Sequence, residues 1–181
     1  VRRVWVESAS NISEEYYVSF TLDRSAKQYL GMISAKGGVD IEQVAREDPQ
    51  ALHTIHVDPA KGLSPRETQD FVDSAHLHPA AVNQTVALVE KLYTCFVEGD
   101  ADLVEINPLI LSKDGRVYAL DAKVSLDDSA AYRHPEWADF EMVEAIDERE
   151  RLAKEKGLQY IGLDGTVGII ANGAGLAMST L

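Results

Sequence analysis

The sequence has 181 residues, of which 45% are hydrophobic and 26% charged, a composition typical of a globular domain. Its formal net charge of -13 argues against nucleic acid or an anionic membrane as a main partner, and no apolar run is long enough to span a membrane. The one cysteine, Cys95, lies in an apolar stretch, so we expect a small buried core residue, no disulfide framework and a reducing, cytoplasmic compartment.

The first part of the chain is typical of strands. Val, Tyr, Phe, Thr and Ile are concentrated in residues 1–7 and 16–34, which predicts three strands, and a turn at residues 24–26 makes the last two a hairpin. Two glycines precede a short predicted helix in residues 37–48. Residues 52–58 predict another strand, which ends at an Asp-Pro pair.

Two helices are predicted next. Ser64 has the chemistry of an N-cap, Pro65 suits the first turn, and Glu67 three residues on completes a capping box. Residues 80–98 carry apolar side chains at helical spacing, and Gly99 ends this second helix.

A hairpin with an Asp-Gly turn is predicted in residues 104–121, VEINPLILSKDGRVYALD. Its apolar runs contain three polar side chains: Glu105, Asn107 and Asp121. Side chains alternate between the two faces of a strand, so Glu105 and Asn107 point the same way.

The face of Asp121 depends on the length of the turn. A two-residue loop at 114–115 turns Asp121 away from Asn107. A three-residue loop at 113–115, with Gly115 left-handed, pairs Asn107 with Asp121 and places three oxygen-bearing side chains on one face. Such a set suits Mg²⁺, but polar strand residues that face water, or an aspartate that caps a turn, explain the pattern as well. Spacing alone does not decide between them.

A second acidic set lies near the start of the chain, around the transition from the first predicted strand to the loop that follows it. Glu7, Ser10 and Glu15 offer acceptors for ribose hydroxyls or an adenine amino group, and ordinary solvation of a loop is the alternative. None of the five histidines forms a metal or catalytic set.

The pattern changes towards the end of the chain. Residues 141–156 are mostly charged and predict an exposed helical linker that Gly157 ends, so the domain boundary is expected near 141–157. Residues 167–172 then predict an apolar strand, and a glycine-rich turn opens a helix, which together form the first βα unit of a new α/β domain.

The turn before that last helix is a candidate anion site. Free backbone N–H groups and the helix dipole favour phosphate or carboxylate there, and a tight turn without a ligand is the alternative. The residues concerned are Asn172, Gly173, Ala174 and Gly175.

Together these stretches resemble the β-subunit of succinate–CoA ligase, also called succinyl-CoA synthetase. The resemblance runs along all 181 residues and is carried by VESASNISEEYYVSFTLDRS, SAKGGVDIEQVA, LVEINPLILSKDGRVYALDAK, AAYRHP and LDGTVGIIANGAGLAMSTL. It implies the C-terminal portion of an α+β ATP-grasp domain in residues 1–140, a helical linker in 141–157 and the start of a flavodoxin-like α/β CoA-ligase domain in 158–181. We accordingly expect a piece of a longer subunit, without the N-terminal lobe and most of the CoA-ligase domain.

The resemblance also implies roles for the candidate residues. Asn107 and Asp121 would bind Mg²⁺, and Glu105 would be a catalytic residue beside the nucleotide phosphates. The nucleotide contacts would be Glu7, Ser10 and Glu15. The carboxylate and phosphate end of the substrate would lie at Asn172, Gly173, Ala174 and Gly175.

The implied reaction needs a partner. In this family ATP or GTP phosphorylates a histidine of the α-subunit, the phosphate passes to succinate, and CoA displaces it to form the thioester. The α-subunit, which also binds CoA, would form a heteromer with this chain in the cytoplasm, or in the mitochondrial matrix of a eukaryote. A related malate–CoA or citrate–CoA ligase, or a non-catalytic nucleotide-binding module, remains as an alternative.

Overall fold

The computed structural model describes residues 6–140 and 147–180 of the chain. Residues 6–135 belong to one compact unit, and the described residues from 136 onward belong to another. The predicted strand in residues 1–7 falls mostly outside the described part, and its last two residues are not in a strand.

The first unit contains one antiparallel sheet of six strands, in the order β3-β2-β1-β4-β5 with β6 also paired to β4. The strands are β1 (Ile12–Asp23), β2 (Gln28–Ser34), β3 (Leu52–Val57), β4 (Ala101–Ser112), β5 (Val117–Ala119) and β6 (Ala122–Leu126). The hairpin predicted in residues 16–34 is confirmed, because β1 and β2 pair on either side of a turn at residues 24–27. The strand predicted in residues 52–58 is confirmed as β3.

Three helices accompany this sheet: α1 (Ile41–Glu47), α2 (Pro65–Ser74) and α3 (Pro79–Glu98). The capping box at Ser64 is confirmed, since its hydroxyl accepts from the Glu67 N–H and the Glu67 carboxylate accepts from the Ser64 N–H. Asp40 caps α1 through the N–H groups of Glu42 and Gln43. Gly99 is the C-cap of α3, as its position predicted.

The hydrophobic core lies between one face of the sheet and helices α2 and α3. Burial of these apolar side chains is the main stabilising contribution to the unit. Its buried members are Tyr16, Val18, Phe20, Ile33, Phe71, Val72, Ala75, Leu77, Ala81, Val89, Phe96, Val104, Ile106, Leu109 and Leu111.

Strand β4 contains a bulge at residues 107–108. Tyr16 of β1 pairs with Leu109, whereas Val18 pairs with Ile106, so Asn107 and Pro108 together oppose the single residue between them. The peptide bond between Asn107 and Pro108 is cis. The bulge reverses the alternation of faces, which lets both Ile106 and Leu109 reach the core.

The expectation that Cys95 is buried is wrong, because the structure exposes this side chain. Phe96 faces the core from α3. One residue corresponds to about 100° around a helix, so Cys95 lies beside the buried stripe and not within it.

The first unit ends with a short 3-10 helix at Asp128–Arg133, and another 3-10 helix, Pro135–Phe140, follows at the boundary. The second unit contains α4 (Glu148–Glu155) and α5 (Ala174–Thr180). Residues 141–146 of the predicted linker lie outside the described part. The strand predicted in residues 167–172 is not formed: Val167, Ile169 and Ile170 are exposed, and no described strand pairs with them. A strand needs a neighbour for its N–H and C=O groups, which an apolar run alone does not supply. No helix in the described part of the chain is long and apolar enough to cross a membrane.

Candidate functional site

The turn of the 104–121 hairpin adopts the three-residue form. The Ser112 N–H donates to the Arg116 carbonyl over 2.9 Å, and Gly115 has a φ of +80°. Further along the ladder the Asn107 N–H donates to the Asp121 carbonyl over 3.1 Å. Asp121 therefore lies opposite Asn107, in the bend between β5 and β6, as the three-residue turn predicts.

Side chains within the loop stabilise this turn. Asp114 accepts from the Ser112 hydroxyl and, over 2.7 Å, from Nε of Arg116. The Ser112 hydrogen bond first, and then the Arg116 guanidinium, lower the pKa of the Asp114 carboxyl to about 2. The ionised form of Asp114 is thus the one that the folded turn favours.

The face of the sheet opposite the core is polar at its centre, where β1 and β4 pair. Tyr16 and Val18 of β1 enter the core, so the residues between and beside them point to the other side. This polar face carries Glu15, Tyr17 and Ser19 of β1 together with Glu105 and Asn107 of β4.

Glu105 is half-buried on this face and is held by a buried phenol. The Tyr17 hydroxyl donates to the Glu105 carboxylate over 3.1 Å, and a further hydrogen bond of 2.9 Å joins the hydroxyls of Tyr17 and Ser19. Burial raises the pKa of Tyr17 well above its ordinary range; the Ser19 hydrogen bond opposes this shift, and the Glu105 charge adds to it. The phenol stays protonated, so it remains a donor to the carboxylate.

Asn107 is held in one orientation by the backbone of residues 37–40. Its Oδ1 accepts from the Gly38 N–H over 2.8 Å, and its Nδ2 donates to the Val39 carbonyl over 3.0 Å. An amide that meets one donor and one acceptor cannot flip without losing both bonds.

Glu15 reaches the same loop from β1. Its carbonyl accepts from the Gly37 N–H over 3.0 Å. Its carboxylate lies 3.0 Å from the point where a Cβ on Gly38 would be. The structure therefore brings both Glu15 and Asn107 close to Gly38, whereas Glu7 and Ser10 lie on the exposed segment that precedes β1.

The donor set on the polar face fits Mg²⁺. Oδ1 of Asn107 accepts one hydrogen bond and retains a second lone pair, and Asp121 opposite it is exposed. The described residues hold no cluster of three or more His, Cys, Asp or Glu side chains that would enclose a metal by protein ligands alone. A few oxygen ligands completed by water and substrate phosphates are the usual environment of Mg²⁺.

The last candidate set lies in the second unit. Residues 172 and 173 form a bend, and α5 begins at Ala174. The Ala177 N–H donates to the Gly173 carbonyl over 3.1 Å. Asn172, Gly173, Ala174 and Gly175 are exposed, and a Cβ on either glycine would meet nothing within 4 Å.

Two surface depressions lie elsewhere on the first unit. One of about 420 Å³ lies where the start of α2 faces Glu90, Tyr93 and Thr94 of α3. Another of about 120 Å³ lies between β1, the end of α3 and Asp127. No candidate residue of the polar face lines either depression.

Sequence reasoning missed Tyr17, Ser19 and the Gly37-Gly38 pair. A signal for the first two was available, because they follow Glu15 at strand alternation and are polar within an apolar run. The glycine pair was interpreted only as the start of a helix.

Comparison with known proteins agrees with this architecture. The sequence profile of the ATP-grasp domain matches residues 1–111, more than half of the chain. The structure is similar to ATP citrate lyase from Methanothrix soehngenii in complex with citrate and coenzyme A, with 25% identity, a TM-score of 0.58 and coverage of 82% of this chain and 34% of that one.

A second similar structure shares the fold. It is a mutant of the Methanosaeta concilii ATP citrate lyase in complex with (3S)-citryl-CoA, with 24% identity, a TM-score of 0.53 and coverage of 80% of this chain and 32% of that one. This chain thus spans about a third of the length of either protein. Residues 1–111 include β1 to β3, α1 to α3 and nearly all of β4. With its antiparallel sheet and mixed α+β architecture, this chain belongs to the ATP-grasp domain family.

Proposed function

We propose that this chain is the nucleotide-binding part of an acid–thiol ligase, the β-subunit of succinate–CoA ligase. The observation that supports the proposal most is that Glu105 and Asn107 share the polar face of the sheet and that Asp121 lies opposite Asn107. The core does not require these polar side chains, because Ile106 and Leu109 already supply the packing of β4.

The proposal divides the polar face into two roles. Asn107 and Asp121 would hold Mg²⁺, which neutralises charge on the nucleotide phosphates when it is bound. Glu105, fixed by Tyr17, would lie beside those phosphates as the catalytic residue.

The nucleotide itself would be ATP or GTP. Its ribose and base would be contacted by Glu7, Ser10 and Glu15. Of these, Glu15 is on the sheet and adjoins the loop that holds Asn107, which connects the proposed nucleotide and metal contacts.

The remaining parts of the proposal concern the acid and the partner. We assign residues 1–140 to the ATP-grasp domain, 141–157 to a linker and 158–181 to the start of a flavodoxin-like CoA-ligase domain. Asn172, Gly173, Ala174 and Gly175 would contact the carboxylate and phosphate end of the substrate. An α-subunit would supply CoA and the histidine that carries phosphate from the nucleotide to the acid.

Citrate is a second candidate substrate. The similarity to ATP citrate lyase, at 25% identity over 82% of this chain, favours it specifically. A citrate–CoA ligase would use the polar face in the same way and would differ at the acid site.

The metal assignment is tested by Asp121→Asn, with Asp102→Asn as the matched control. Both aspartates are exposed, on β4 or directly opposite it, so both changes remove one surface charge. Affinity of the full gene product, in complex with an α-subunit, for Mg·ATP and Mg·GTP is measured by calorimetry, with circular dichroism as the check of folding. We expect Asp121→Asn to weaken binding by about tenfold, or about 1.4 kcal/mol, and the control to leave it unchanged. Equal affinity of the two folded variants would refute the assignment.

The acid is identified in a second experiment. The full gene product that contains this chain is co-expressed with an α-subunit, and CoA-dependent formation of ADP or GDP is followed with succinate, malate and citrate. Turnover selective for succinate supports the leading proposal and identifies the nucleotide. Turnover with citrate or malate alone would identify that acid as the substrate in place of succinate. Absence of turnover from a folded complex would favour a non-catalytic module.

A further inference from the structure

We propose that residues 36–40, which we call the glycine loop, are a positioning element of the Mg²⁺ site and act through Asn107. The loop connects β2 to α1 and contributes no metal ligand in the proposed function, on which this inference rests. Its task is to fix the carboxamide of Asn107 so that the free lone pair of Oδ1 is directed at the metal.

The first argument is the chemistry of the carboxamide. The Gly38 N–H requires an acceptor and the Val39 carbonyl requires a donor, so only one of the two amide orientations satisfies both. The bonds of 2.8 Å and 3.0 Å therefore decide which end of the group is oxygen. Without the loop, both orientations and several rotamers of Asn107 would be populated.

The second argument is the way the loop is seated. A Cβ on Gly37 would lie 2.1 Å from the Tyr16 carbonyl oxygen, so the backbone of the loop lies directly on β1. Gly38 has a φ of +68°, and a Cβ there would lie 3.0 Å from the Glu15 carboxylate. Gly37 requires glycine because the backbone of β1 leaves no room for a side chain. Gly38 requires it because the Glu15 carboxylate leaves little room there and because its φ is positive.

Both ends of the loop also make contacts. Asp40 accepts the Glu42 N–H over 2.8 Å as the N-cap of α1, and Lys36 pairs with Asp48 over 2.7 Å, although that exposed ion pair contributes little. The close seating of the two glycines and the Asp40 cap therefore make the loop a support of the kind that orienting a metal ligand requires.

A positioning role predicts that metal and loop affect each other. If the seated loop strengthens metal binding through Asn107, then a bound metal must stabilise the seated loop by the same free energy. A loop that only contributes to folding would not be stabilised by the metal, and its variants would not weaken metal binding.

The test compares Gly38→Ala with Gly62→Ala in the 181-residue chain. Gly62 has a similar φ of +74°, and a Cβ there would meet only the Tyr93 hydroxyl at 3.8 Å, so the backbone strain is matched and the location is remote. Mn²⁺ serves as the probe, since it accepts the same oxygen ligands and broadens nearby NMR signals even at weak affinity. The readouts are broadening of the Asn107 carboxamide and Asp121 amide signals, and hydrogen exchange at the amide of residue 38.

We expect Gly38→Ala to shift the Asn107 carboxamide signals without metal and to weaken Mn²⁺ binding by about tenfold or more. Gly62→Ala should change the affinity by less than about twofold. Mn²⁺ should slow exchange of the residue-38 amide, which donates to Asn107, in the unmodified chain and not in Gly38→Ala. Equal Mn²⁺ affinity of Gly38→Ala and Gly62→Ala would overturn the positioning role.

Asn107→Asp is the second variant. Charge alone would make this variant bind Mn²⁺ more tightly, because a carboxylate binds a divalent cation more strongly than an amide does. It loses the donor to the Val39 carbonyl, however, and sets two acceptors against each other. We expect weaker Mn²⁺ binding than in the unmodified chain, and tighter binding would contradict the inference.

The experiment distinguishes a failure of the proposed metal site from a failure of the positioning role. If Mn²⁺ broadens neither Asn107 nor Asp121 in the unmodified chain, the metal site itself is wrong, and the positioning role falls with it. If Mn²⁺ broadens both and the loop variants have no effect, the proposed function stands and only the positioning role is refuted.

Discussion

The hydroxyl of Tyr17 donates to the carboxylate of Glu105 across the pairing of β1 with β4, from a tyrosine that is 1% exposed. Each group limits the other: the carboxylate favours the protonated phenol, and the phenol fixes the carboxylate on the polar face. A buried donor that cannot turn to water is a stable support for a charged side chain.

Tyr17→Phe should therefore destabilise the chain and should do so through Glu105. We expect a loss of about 1–2 kcal/mol in the free energy of unfolding, because the half-buried carboxylate loses its donor. In a double-mutant cycle with Glu105→Ala, measured by urea denaturation, the coupling should be about 1 kcal/mol. Tyr29→Phe, whose ring packs against Phe96 at 5.0 Å, is the control. Additive effects of Tyr17→Phe and Glu105→Ala would contradict the coupling.

Stability should decline at alkaline pH. Burial raises the pKa of Tyr17 above its ordinary value of 10.0, so between that value and the folded one the unfolded chain has lost a proton that the folded chain keeps. The contribution is complete below pH 10 and diminishes as the pH rises above it. Melting temperatures from about pH 8 to about pH 11 should fall less steeply in Tyr17→Phe. Because burial also raises the pKa of Tyr16, part of the decline should remain in that variant; parallel curves would refute the assignment to Tyr17.

The effect of substitutions at Gly115 on the free energy of unfolding should depend on the backbone conformation that each residue tolerates and not on side-chain size. A Cβ there meets nothing within 4 Å, but the φ of +80° is left-handed. We expect a cost of about 1 kcal/mol for Gly115→Ala, less for Gly115→Asn and more for Gly115→Val, because asparagine tolerates this region and β-branched residues do not. Urea denaturation of the series provides the ranking. Equal stabilities would show that the turn does not need a left-handed residue.

Cys95 should react in the folded state. Its side chain is exposed on α3, so one thiol per chain should be titrated by a disulfide reagent without denaturant. Cys95→Ser should abolish the reaction and change the free energy of unfolding by less than about 0.5 kcal/mol. A thiol that reacts only after unfolding would mean that the side chain is protected.

Features with a local cause were predictable from the sequence. The capping box at Ser64 and the end of α3 at Gly99 each depend on residues within a few positions, and both were predicted correctly. The register of the 104–121 hairpin was narrowed to two forms, and the left-handed Gly115 belongs to the form that the structure contains.

Features that depend on distant partners were not predictable. The Gly38 N–H binds a side chain 69 positions away, and nothing near the glycine indicates it. The apolar run at 167–172 has the composition of a strand, but a strand forms only beside a partner strand, and composition does not indicate whether such a partner is present. Cys95 was misjudged because an apolar stretch of a helix also has an outer side. The roles assigned to individual site residues stay predictions.

The bulge at residues 107–108 limits how β4 can change in length. Removing one of these two residues would leave simple pairing with β1, with Ile106 and Leu109 both still facing the core. On its other edge β4 has no such irregularity, because Ile106 pairs with Ala122 and Leu109 with Ala119, so the deletion would move Asn107 and Leu109 out of register with residues 119–121. A deletion in this segment should therefore disrupt the pairing of β4 with β5 and the Asn107–Asp121 contact, and a deletion at Lys113 or Asp114, where the strand has already ended, should be better tolerated. The spacing between Glu105 and Leu109 is thus as much a part of the fold as the identity of either residue.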